Sequence, residues 1–162
     1  MSSADENDWL QVAARARGSF STALVVTLGP GGRFLEAAAI GDTCLFVLDG
    51  FEPVCSFPLG ASSAFDQEPA LVGAEGDELP TFQRRLIAFG GLRQPSFALA
   101  TDALARRLLE CSEESRDRHP DAVRHMWRFL ATASETAFEK WAGEAIDHGA
   151  IAADDLTLAW VR

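Results

Sequence analysis

The chain has 162 residues, 48% of them hydrophobic and 23% charged, with a formal net charge of −10. That length makes one domain with a real core the default. The acid excess excludes a nucleic-acid-binding face, because little here neutralises phosphates. There is no apolar run of about 18 residues to cross a bilayer. Met1–Glu6 is acidic and polar, unlike a secretory leader, so a cytoplasmic location and no membrane partner are expected.

In chain order, Asp8–Arg17 carries Trp9, Val12, Ala13 and Ala16 at helical spacing and stops at Gly18. Residues 1–18 are therefore read as a tail and helix, and 19–162 as a single α+β domain. Phe20–Leu28 alternates and is rich in strand formers, Gly29-Pro30-Gly31-Gly32 is a turn, and Phe34–Ile40 is a second strand. Thr43–Leu48 is a third strand. Asp49-Gly50 signals a hairpin into a fourth strand over Phe51–Phe57. Pro58–Pro80 reads as a long surface loop with a short strand at Ala70–Val72. Arg85–Phe89 and Ser96–Ala100 supply further strands. Asp102–Cys111 is predicted helical with Leu104, Leu108 and Cys111 on one face, followed by a polar break at Ser112–Asp117. Helices over Asp121–Ala133 and Glu135–Ala145 are expected to bury Val123, Met126, Trp127 and Leu130, and Phe138, Trp141, Ala142 and Ala145. A last strand spans Leu156–Val161. Antiparallel meanders with segregated helices indicate a layered α+β domain rather than a doubly wound one.

Cys44, Cys55 and Cys111 are odd in number and widely spaced, which favours free thiols, buried at Cys44 and Cys55, over a disulfide. His119, His125 and His148 are scattered and show no zinc spacing. Ser19, Ser21 and Thr22 have no His and Asp partners in pattern, so no nucleophilic triad and no catalytic residue is assigned. The carboxylates are more informative. Asp102 and Asp154 each stand at the end of an apolar run, a placement suited to a hard cation, and Asp42 in Gly41-Asp42-Thr43 joins them as a candidate. Each also has a plainer reading. Asp42 after Gly41 suits a turn or bulge, Asp102 suits a helix cap, and Asp154-Asp155 suits a turn before the last strand.

Four blocks resemble the metal-dependent serine/threonine phosphatase family known as type 2C or PPM. They are Phe20–Val26, Ala38-Ala39-Ile40-Gly41-Asp42-Thr43-Cys44-Leu45-Phe46, Ala98-Leu99-Ala100-Thr101-Asp102-Ala103-Leu104 and Asp154-Asp155-Leu156-Thr157, with Ser56-Phe57-Pro58-Leu59 fitting a bacterial branch. The resemblance implies an antiparallel β-sandwich flanked by helices. It also implies that Asp102 and Asp154 each reach one metal of a Mn or Mg pair, with Asp42 near a further ion. The family's early Asp-Gly-x-Gly motif, whose aspartate bridges the two metals, has no counterpart before Phe20; Asp49-Gly50 belongs to a hairpin. The chain thus resembles the later two-thirds of the family domain, lacking the opening strands and first long helix. The expectation is a catalytically degenerate, regulatory or partner-binding subunit with weak or no metal binding. A second chain or a second copy is expected to cover the open sheet edge. The alternative is an active Mn- or Mg-dependent phosphoprotein phosphatase completed by another chain.

Overall fold

The structure, a computed structural model, describes residues 20–65, 70–73, 81–115 and 119–161. The helix expected over Asp8–Arg17 lies outside the described residues. In chain order the strands are β1 (Phe20–Ser21), β2 (Ala23–Leu28), β3 (Phe34–Ile40), β4 (Cys44–Asp49), β5 (Glu52–Phe57), β6 (Val72–Gly73), β7 (Gln83–Ala88), β8 (Pro95–Ala100) and β9 (Leu158–Val161). Between β8 and β9 come three helices, α1 (Asp102–Ser115), α2 (Pro120–Thr132) and α3 (Glu135–Asp147). Every strand pairing is antiparallel. The strands form a three-stranded sheet in the order β2-β3-β7, a four-stranded sheet in the order β5-β4-β8-β9, and a β1-β6 ribbon.

The expected α+β architecture with antiparallel sheets is what the chain adopts. β4 explains the layering. Its sequence, Cys-Leu-Phe-Val-Leu-Asp, is apolar on both faces, as a strand buried on both sides must be. Leu45 and Val47 point one way and join Leu35, Ala37, Ile87 and Phe57 in a core between the two sheets. Cys44, Phe46 and Leu48 point the other way and join Leu104, Leu108, Val123, Trp127 and Leu130 under the helices. The layers are therefore helices, four-stranded sheet, three-stranded sheet. The Phe46 and Trp127 rings meet at 5.0 Å between centroids, a distance at which tilted aromatic pairs attract.

Two expectations about the helices need correction. α1 does not break at Ser112 but runs to Ser115. Its polar last turn faces outward, where Ser112 Oγ donates to the Leu108 carbonyl at 2.8 Å and Arg107 pairs with Glu110. Glu113 accepts from the Ser62 backbone N–H and hydroxyl, tying the loop after β5 to the helix. In α3 only Ala142 is fully buried. Phe138 and Trp141 are half-buried at the rim, where Trp141 meets Phe129 at 5.9 Å. The strand expected continuously over Phe20–Leu28 is split at Thr22, and the short strand near Ala70–Val72 falls at Val72–Gly73.

Candidate functional site

β4, β8 and β9 are neighbours, and their register aligns Cys44 with Ala100 and Ala100 with Leu158. Asp42 lies two residues before Cys44, Asp102 two after Ala100, and Asp154 four before Leu158. Sheet geometry alone thus delivers the three predicted aspartates to one end of the four-stranded sheet.

Asp42 sits in the connection from β3 to β4. Gly41 has φ +89°, and a Cβ there would stand 2.4 Å from Thr22 Cγ2 and 3.0 Å from the Ala70 carbonyl oxygen. Only glycine fits that turn, for backbone and for space. The hydroxyls of Thr22 and Thr43 lie 2.8 Å apart across it. The turn sinks Asp42 to 6% exposure. Burial pushes its carboxyl above the ordinary range, and the negative charges of Asp102 and Asp154 push it further, against a lowering contribution from its own backbone N–H. The neighbouring Cys44 thiol is pushed up to about 12, chiefly by burial, and donates to the Asp42 carbonyl at 3.3 Å. It is an inert core thiol.

Asp102 is the first residue of α1, where a carboxylate meets the positive end of the helix dipole. The residue before it does the positioning. Thr101 N–H donates to the Thr157 carbonyl at 3.2 Å. Its hydroxyl donates to the Asp155 carbonyl at 2.9 Å and accepts from Thr157 N–H at 3.0 Å. This clasp fastens the segment carrying Asp154 to the start of α1. Asp154 is exposed, and its Oδ1 accepts from the N–H of the next residue, Asp155, at 2.8 Å. The sequence offers a capping role for Asp102 and none for Thr101; the pairing of Thr101 with Asp155 and Thr157 is made only by the fold.

The donor chemistry of three carboxylates suits Mg or Mn. Two ions about 3.5–4 Å apart need bridging negative charge. Among the described residues, no group of three or more His, Cys, Asp or Glu side chains is placed to hold a metal ion. The Asp42 carboxyl feels the charges of Asp102 and Asp154. Comparison with known proteins adds no relative: no family model matches the chain, no curated protein matches it, and no solved structure matches it. Among the described residues, no helix is long and apolar enough to cross a membrane.

Proposed function

We propose that the chain is a type 2C phosphatase-like protein without phosphatase activity of its own, acting as a regulatory, partner-binding subunit. The observation that carries this reading is the grouping of Asp42, Asp102 and Asp154 at one end of β4, β8 and β9 without a converging set of donors. The blocks that resemble the phosphatase family contain these same three turns. The charges of Asp102 and Asp154 already push the Asp42 carboxyl up, and no hydrolytic step is assigned to the three.

The partner component rests on the three-stranded sheet. Among the described residues, β2 and β7 each have one flank unpaired, and Val25 and Leu86 are 56% and 66% exposed. Open edges of this kind invite strand addition. A second chain or a second copy is the proposed cover.

Hydrolysis of p-nitrophenyl phosphate and of a phosphoserine peptide, with Mn or Mg added, tests the reading. No metal-dependent turnover is expected. Turnover that requires the metal and disappears in Asp102→Asn overturns it in favour of an active phosphatase. Hydrogen exchange with sedimentation tests the partner component. A monomer whose β2 amides are protected by its own residues 1–18, losing that protection when they are deleted, defeats it.

A further inference from the structure

Around β5, the edge strand of the four-stranded sheet, a pocket of about 410 Å³ is lined by residues of β4, β5, β7, α1 and α2. None of the three aspartates lines it. That volume is within the range of about 300–1,000 Å³ typical of small-molecule sites. Phe46, Leu109 and Val123 contribute buried apolar surface, and Pro53 and Val54 of β5 form part of the wall. The polar lining is sparse: the hydroxyls of Ser56 and Ser112, the Cys55 thiol, Glu52 and Arg85.

Arg85 decides what such a pocket takes. It lies on β7 opposite Ala37, which is buried between the sheets, so the arginine leaves the strand on the inner face. Its Nη1 donates to the Ser56 carbonyl at 3.2 Å. That uses one of five guanidinium N–H groups. Among the described residues no salt bridge joins it to a carboxylate, as is also true of Arg33, Arg84, Arg93 and Arg128, and its side chain is exposed, so a ligand can reach it. The acid in the lining, Glu52, is paired with Arg124. The pocket therefore has one uncompensated positive charge beside an apolar floor.

We infer that the pocket between β5 and helices α1 and α2 binds a small organic monocarboxylate with an apolar body, its carboxylate on Arg85 and its body against Phe46, Leu109 and Val123. One guanidinium balances one negative charge, whereas a dianion such as a phosphate monoester would keep a second charge unbalanced beside the apolar floor. An extended peptide adding to β5 is the poorer fit. Pro53 has no N–H to offer, and the Ser56 carbonyl is already occupied by Arg85.

The test uses 4-phenylbutyrate, 4-phenylbutan-1-ol and 4-phenylbutyl phosphate as probes, titrated into the full chain and followed by amide chemical shifts. The butyrate is expected to bind about tenfold more tightly than the alcohol, the size of one charge-assisted hydrogen bond set. Arg85→Gln should remove that preference while leaving alcohol binding, and Arg85→Lys should restore part of it. In the unmodified chain, saturating butyrate should slow alkylation of Cys55, which lines the pocket, and leave Cys111, which does not, unchanged. Equal affinity for acid and alcohol, a preference that survives Arg85→Gln, or unprotected Cys55 overturns the site. Tighter binding of the phosphate overturns the monocarboxylate assignment. If Arg85→Gln fails to fold, the Cys55 result and the probe ranking in the unmodified chain decide.

Discussion

The two larger sheets share a core but differ in what lies on their other faces. The four-stranded sheet sends Phe46 and Leu48 into a layer of helices, where both are buried. On the opposite side of the molecule, β2 and β7 turn Val25 and Leu86 outward, more than half exposed. Both sets are apolar residues on alternating strands, so strand chemistry alone does not tell them apart. What separates them is the segment that follows: β8 leads into three helices that fold back onto its own sheet, and among the described residues nothing comparable covers β2 and β7. Stability is thus concentrated on the helix side, and surface available for contact on the other.

The same substitution placed on either side breaks or sharpens that contrast. Leu48→Ala is expected to cost about 2–5 kcal/mol, since it empties a fully buried position under the helices. A urea unfolding midpoint near that of the unmodified chain would refute it. Gly41→Ala follows, at roughly 1–3 kcal/mol for the left-handed backbone alone, with the clash against Thr22 adding to it. Thr101→Val should cost about 1 kcal/mol. It should also speed hydrogen exchange at Thr157, whose N–H loses its acceptor.

Asp42→Asn has a sign that depends on pH. The folded state holds the Asp42 proton more tightly than the unfolded state, whose carboxyl stays near 3.8. Stability therefore falls as pH rises from about the unfolded value through the raised folded value, and the loss is complete above it. The asparagine variant should lose that slope and gain on the unmodified chain across the same window. An identical pH profile for both proteins would show that Asp42 is not strained by its neighbours. The smallest effect belongs to Leu86→Ala, within about 0.5 kcal/mol because the side chain is already in water. A larger loss there would mean that the outer face is covered in solution.

The strands were largely legible in the sequence. β3 falls on the predicted Phe34–Ile40, and β4, β5 and β8 come within a residue of their expected ranges, because alternation and the turn residues around them act locally. The last turn of α1 was not legible. Ser112-Glu113-Glu114-Ser115 reads as a break by composition, yet a helix end that faces solvent and grips a loop through Glu113 has no need of apolar residues. The grouping of Asp42, Asp102 and Asp154 was anticipated, from apolar runs at Asp102 and Asp154 and from the Gly41-Asp42-Thr43 block of the family resemblance. The Thr101 clasp was not, since it joins residues more than fifty positions apart through bonds that only the fold makes. The Arg85 pocket was invisible. It draws on β4, β5, β7, α1 and α2, and no local pattern links an arginine on one strand to a serine carbonyl on another sheet.

β4 carries a consequence for how the protein comes apart. Leu45 and Val47 belong to one core and Cys44, Phe46 and Leu48 to the other, so neither core can loosen without disturbing the same six-residue strand. The helical layer and the three-stranded sheet are thereby joined into one cooperative unit. The β4 amides should exchange with solvent only through global opening, at the slowest rate in the chain. A fluorescence probe on Trp127 and a backbone probe on β3 should then report a single unfolding transition, although the two residues lie in different layers.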